Sequence, residues 1–132
     1  MRLNAIMNTA VEVIGPHASI GTAERRLREK GIHHLVVVDH DIIVGLLTQD
    51  ILKNRKGEGA KKVEDAMLRN ITLAAPEMTV REAAVLMTPG HAQTAVPVVS
   101  NQRLVGIVTV SDLLRLAATA HRQLRDASAE VS

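Results

Sequence analysis

The chain contains no phenylalanine, tyrosine or tryptophan and no cysteine. Modules that bind single-stranded nucleic acid stack bases on aromatic rings. This chain has none to offer, so any planar ligand must lie against aliphatic side chains or backbone. Without cysteine there is no disulfide framework, no thiol catalysis and no Cys-type zinc site. No apolar run approaches the roughly 18 residues that a membrane span needs. Glu12 interrupts the apolar stretch after Arg2 and no small-residue cleavage site follows. No signal peptide is therefore expected, and the cytoplasm is the default location.

What is present describes an ordinary globular chain of 132 residues, 46% apolar and 23% charged, with a net charge of +2. That composition excludes a disordered tail. The sequence pI of 9.4 is mildly basic, and unclustered basicity is weak support for nucleic-acid binding. There is no nucleophile–base pairing, no H-E-x-x-H and no carboxylate pair at a telling spacing, so an enzyme is not expected. Gly57-Glu58-Gly59-Ala60-Lys61-Lys62 lacks phosphate-loop spacing. His33, His34, Asp39, His40 and Asp41 match no standard zinc or EF-hand pattern, so no metal is expected.

The most informative feature is an internal repeat. At a spacing of about 60, Met7 pairs with Met67, Pro16 with Pro76, Ser19-Ile20 with Thr79-Val80, and Ala23 with Ala83. After one inserted residue, Leu35–Val38 pairs with Val96–Val99, Val44-Gly45 with Val105-Gly106, and Thr48 with Thr109. Asp50-Ile51-Leu52 then pairs with Asp112-Leu113-Leu114 after one more insertion.

Each half reads as β-α-β-β-α. A lead-in ends at Met7 or Met67, and a brief strand follows, Val11 to Ile14 or Ile71 to Leu73, closed by Pro16 or Pro76. Thr79 with Glu82 forms a capping box, and Gly31 is placed to end the first helix. Two β-branched runs then make a hairpin in each half, around Asp39-His40-Asp41 and around Ser100-Asn101-Gln102. The last helix is expected from about Ser111 to Arg125, with Leu113, Leu116, Ala117, Ala120 and Leu124 as its apolar stripe. Lys53 to Lys62 reads as a charged connector, which divides the chain into repeats at 1–58 and 59–132. A unit of that size buries only ~60% of its unfolded surface. The fold class expected is therefore α+β, two such repeats packed sheet to sheet with pseudo-two-fold symmetry.

These landmarks resemble a tandem CBS domain pair. The second half carries Met67, Thr79-Val80-Arg81-Glu82-Ala83, Val96-Pro97-Val98-Val99 and Gly106-Ile107-Val108-Thr109-Val110-Ser111-Asp112. The first half carries Met7, Val36-Val37-Val38-Asp39 and Gly45-Leu46-Leu47-Thr48. The resemblance runs from about Arg2 to Leu116 and suggests a stand-alone CBS pair. It implies a non-catalytic regulatory sensor that binds AMP, ADP, ATP or a relative such as S-adenosylmethionine in the cleft between its repeats. It also implies a homodimer that signals to a client protein the sequence does not name.

Carried onto this chain, the family's ligand contacts fall first on Thr109, Ser111 and Asp112. Unpaired N–H groups and the dipole at a helix start favour an anion, two hydroxyls can donate to phosphate oxygens, and Asp112 can accept from ribose hydroxyls. The same residue types are favoured at any helix start, so a simple cap is the competing reading. In the first half Thr48-Gln49-Asp50 has one residue fewer, which turns the Asp50 carboxylate by ~100° around its helix. His33 and His34 precede the first β-branched strand, where the family often places a base that reaches phosphate. The second half has Gln93-Thr94-Ala95 there, leaving Thr109 and Asp112 without an evident cationic partner. The adenine would rest on aliphatic residues: Val13 and Ile14, or Thr72 and Leu73, with Ile32 nearby. Two alternatives stand beside the sensor. One is a degenerate pair serving as a dimerisation scaffold. The other, less favoured, is a nucleic-acid accessory protein using the connector lysines.

Overall fold

The computed structural model describes residues 1–87 and 93–131, with side chains as far as residue 124. The chain forms two compact units, Thr9–Thr72 and Met1–Asn8 with Leu73–Ser132. The lead-in that precedes the first repeat thus packs with the second repeat. The segment after the connector, including Met67, packs with the first.

In the unit Thr9–Thr72, β1 (Val13–Ile14) runs parallel to β2 (His34–Asp39), which pairs antiparallel with β3 (Ile42–Thr48). Parallel neighbours need a crossover, and α1 (Ile20–Lys30) supplies it. Ser19 caps α1 by accepting from the Thr22 N–H at 3.0 Å. Gly31 ends it in the left-handed conformation, φ 62°, which glycine enters without the usual Cβ clash. The β2–β3 turn places His40 and Asp41 at φ 49° and 65°, the pattern of a type I′ hairpin. Helix α2 (Gln49–Gly57) follows, and the short α3 (Val63–Ala66) packs on the same unit. Lys53 to Gly57, expected in the connector, thus lies in helix. The core gathers Ile14, Ile20, Leu27, Leu35, Val37, Leu47, Leu52 and Val63. Each fully buried aliphatic side chain there contributes about 1.5–3 kcal/mol.

The second unit begins with a 3-10 turn at Leu3–Ala5 and continues with α4 (Val80–Leu86), β4 (Ala95–Ser100), β5 (Arg103–Thr109) and α5 (Val110–Val131). Thr79 accepts from the Glu82 N–H at 3.1 Å, and its hydroxyl donates to the Glu82 carboxylate at 2.9 Å. The β4–β5 turn repeats the I′ pattern with Asn101 and Gln102 at φ 51° and 66°. Leu3, Ala74, Ala83, Val96, Val98 and Val108 form the core of this unit.

Two further expectations need correction. The strand Ile71 to Leu73 does not form; a single parallel bridge joins Ala74 to Val98. The reason lies at Pro97. In the first repeat the matching Val36 donates its N–H to the Glu12 carbonyl at 3.2 Å, extending the β1–β2 pairing. Proline has no N–H to give. Helix α5 also continues beyond Arg125 to Val131.

The two repeat glycines are explained by the methionines. A Cβ on Gly45 would lie 2.6 Å from the Met67 sulfur and 2.8 Å from the Leu68 carbonyl oxygen. A Cβ on Gly106 would lie 2.6 Å from the Met7 sulfur and 3.2 Å from the Asn8 carbonyl oxygen. In each unit a lead-in crosses the last strand closely at its glycine, and at Gly45 the near atoms include a backbone oxygen.

Candidate ligand-binding site

The β5–α5 junction carries the most complete set of expected ligand groups. Thr109 ends β5 opposite Ala95, so its side chain stands where α5 starts. The Thr109 hydroxyl accepts from the Asp112 N–H at 3.2 Å, and Asp112 Oδ2 accepts from the Thr109 N–H at 2.8 Å and its hydroxyl at 3.0 Å. This is a reciprocal cap: each side chain satisfies the other's backbone donor. The first helical amide, that of Val110, donates to the Thr94 carbonyl at 3.0 Å. Ser111 is exposed, and neither its amide nor its hydroxyl is bonded among the described residues. An anion approaching this helix start would therefore meet Ser111 first.

Arg115 stands one turn on, its guanidinium 3.1 Å from Asp112 Oδ1. This corrects the expectation that Thr109 and Asp112 lack a cationic partner. The signal was the Asp-x-x-Arg spacing, which places the two groups on one helix face. A carboxylate offers about four lone-pair positions, and these contacts occupy three. Asp112 can thus accept one further hydrogen bond, or two if the exposed Arg115 swings away. Gln93 is buried and donates to the Ala95 carbonyl at 3.0 Å, so its side-chain amide is tied to the local backbone.

At the matching β3–α2 junction, Thr48 is buried and its hydroxyl accepts from the Ile51 N–H at 3.1 Å. Asp50 is exposed and takes the second helical position, equivalent to Ser111 rather than to Asp112. With the shorter spacing, no carboxylate among the described residues closes this cap. His34 lies opposite Thr48 in the β2–β3 ladder, half-buried. His33 is exposed, and its Nδ1 lies 2.8 Å from Gln49 Oε1. Ile32 is half-buried; with His33 it lines a cavity beside α1 and α2 to which neither Thr48 nor Asp50 contributes.

The two strand residues expected to support the base separate by face, because strand side chains alternate. Ile14 is 4% exposed and belongs to the core. Val13 is 41% exposed on the other side, its carbonyl accepting from Arg26 at 2.5 Å. Thr72 and Leu73 are both exposed. Among the described residues no three His, Cys, Asp or Glu side chains could jointly hold a metal ion. None of their helices is long and apolar enough to cross a membrane.

Residues 3–55 and 63–119 each match the CBS domain family. Among solved structures, the CBS domain pair of protein MJ0100, crystallised with 5-methylthioadenosine and S-adenosyl-L-methionine, superposes with a TM-score of 0.85 at 30% identity, covering 91% of this chain and 98% of that one. CBSX2 in complex with AMP shares the fold, with a TM-score of 0.74 at 22% identity over 91% of this chain and 98% of that one. The CBS domain-containing protein YhcV of Bacillus subtilis is 28% identical over 81% of this chain and 79% of its own length. Homoserine O-acetyltransferase of Methanococcoides burtonii is 33% identical over 84% of this chain, which spans only 23% of that enzyme's length. The chain likewise spans 19% of an L-aspartate semialdehyde sulfurtransferase of Methanocaldococcus jannaschii.

Proposed function

This chain belongs to the CBS domain family, and on that premise we propose that it is a regulatory, non-catalytic module that binds an adenosine nucleotide or derivative and signals its level to a partner protein. The observation that carries the reading is the β5–α5 junction. Ser111 offers an open amide and hydroxyl at a helix start, beside an Asp112 carboxylate with lone-pair capacity left and the Arg115 guanidinium. That set suits an adenosine compound: the anion or polar tail at the helix start, the ribose hydroxyls on Asp112. The MJ0100 pair, at 30% identity and bound to two adenosine derivatives, supports the choice of ligand class. AMP, ADP, ATP, S-adenosylmethionine and 5-methylthioadenosine are the compounds to try. Thr109 holds Asp112 in place. Val13, Ile32, His33, His34, Thr48, Asp50 and Thr72 are further candidates for contact, whereas Ile14 belongs to the core.

Titration calorimetry of Asp112→Ala and Ser111→Ala against that panel tests the site. Both variants should lose at least tenfold in affinity. Thr109→Ser, which keeps a capping hydroxyl, should bind nearly as well as the parent. Unchanged affinity in Asp112→Ala and Ser111→Ala would remove the assignment. Homodimerisation and action in the cytoplasm complete the proposal. A degenerate scaffold remains the second reading, favoured by the open cap at Asp50, and it predicts no binding of any compound in the panel.

A further inference from the structure

The cavity of about 520 Å³ in the unit Thr9–Thr72 lies along α1 and α2, and none of its lining residues belongs to the β5–α5 junction. Its volume is within the range of small-molecule pockets. It is bounded at one end by an ion pair, Glu24 Oε1 to Lys56 Nζ at 3.2 Å, and at the other by the His33–Gln49 contact at 2.8 Å. Those two ties are about 10 Å apart along α2, from Gln49 to Lys56 at the helical rise. Between them the floor is apolar: Leu27 and Leu52 are 4% and 2% exposed, and Ile32 packs against the same core. The walls are cationic. Arg28 follows Glu24 by one turn of α1, and Lys53 precedes Lys56 by about one turn of α2. Neither the Arg28 nor the Lys53 side chain has an ion pair or hydrogen-bond partner among the described residues. With Glu24 and Lys56 neutralising each other, the cavity keeps two uncompensated positive charges over an aliphatic floor.

The fold does not require this chemistry. At the matching positions of the second repeat, Ala84 stands for Glu24 and Ala118 for Lys56. Arg115 stands for Lys53 but is paired with Asp112, so the Glu24–Lys56 tie and an unpaired cation at the Lys53 position belong to the first repeat alone. We propose that this cavity binds a small organic anion with an aliphatic body, its head group held between Arg28 and Lys53 and its body laid on Leu27, Ile32 and Leu52. Two cations lining one cavity favour a doubly charged head, so a phosphate monoester is preferred over a carboxylate. The Gln49 side chain and His33 close the far end, where the imidazole Nε2 remains available to a polar substituent.

The test uses the full chain and n-octyl phosphate as the probe, followed by titration calorimetry at low salt. Saturable binding at one site per chain is expected, with octanoate at least threefold weaker. Inorganic phosphate and octanol, each lacking half the ligand, should be at least tenfold weaker. The double variant Arg28→Gln/Lys53→Gln, altered only at exposed side chains, should lose tenfold or more. It should retain whatever adenosine-compound affinity the parent has, and Asp112→Ala should retain octyl phosphate binding. Failure at this cavity is thereby separable from failure at β5–α5. Octyl phosphate that does not saturate at one site, or that binds the double variant as tightly as the parent, would overturn the proposal. So would a cavity that binds no probe because a second copy covers it, shown by a dimer that the double variant breaks.

Discussion

Replacing Gly45 by alanine tests the packing of lead-in on strand. The new Cβ would sit 2.6 Å and 2.9 Å from the Met67 side chain and 2.8 Å from the Leu68 carbonyl oxygen. The thioether can swing aside, since methionine is unbranched. The carbonyl cannot: it accepts from the Leu46 N–H at 3.1 Å, and the Leu68 N–H donates back to Leu46 at 2.8 Å. Making room means overpacking at about 1–3 kcal/mol and stretching two hydrogen bonds worth about 0.5–1.5 kcal/mol each. A loss of roughly 2–4 kcal/mol is therefore expected for Gly45→Ala. Gly106 is the internal control. There the close atoms are the movable Met7 side chain, and the nearest backbone oxygen, that of Asn8, is 3.2 Å away. Gly106→Ala should cost only about 1 kcal/mol. Urea titrations followed by far-ultraviolet circular dichroism measure both, since the chain has no aromatic side chain to report by fluorescence. A Gly45→Ala protein as stable as the parent, or a Gly106→Ala protein that loses more, would refute the argument.

Other outcomes follow from the same contacts. Ser19→Ala removes the acceptor for the Thr22 amide and should destabilise by about 1 kcal/mol, read as a shift in the urea midpoint with unchanged slope. Leu52→Ala empties a buried site and should cost about 2–5 kcal/mol; a loss below that range would mean that neighbouring side chains collapse into the space. Asp65 is held below its ordinary pKa of 3.8, first by the Lys62 backbone N–H at 3.0 Å and further by the Lys61 N–H and the Lys62 charge. A lowered carboxylate stabilises the folded chain above its unfolded-state pKa and loses that contribution as pH falls through the folded value. Asp65→Asn should therefore be less stable at neutral pH and fall less steeply below about pH 4, and superimposable stability profiles would contradict this.

Much of the fold was legible because local chemistry agrees with global packing. Ser19, Thr79 and Gly31 cap and end helices as their residue types dictate. Both hairpins form at the polar pairs between β-branched runs. What stayed hidden was long-range. Nothing in Met7 or its neighbours indicates that it will cross the Gly106 strand rather than the Gly45 strand. Pro97 could have signalled the missing strand, but only once its N–H was matched to that of Val36. Lys53 to Gly57 looked like a connector because its charges outweighed the helical continuation of Ile51 and Leu52. At the site, sequence placed Thr109 and Asp112 correctly at a helix start, yet missed that they hold each other and that Arg115 joins them. The spacing of Glu24, Leu27, Arg28 and Gly31 against Gln49, Leu52, Lys53 and Lys56 marks one face on each of two helices. It became a cavity only when those faces were seen to meet.

The central claim is that the chain senses an adenosine compound, and thermal unfolding by circular dichroism with the five-compound panel tests it most directly. At 100 times its dissociation constant a ligand adds about 2.7 kcal/mol to the folded state. One or more of the compounds should therefore raise the melting temperature of the parent chain, and the gain should be lost in Asp112→Ala. Melting curves that coincide across the whole panel would contradict the account and leave the scaffold reading in its place.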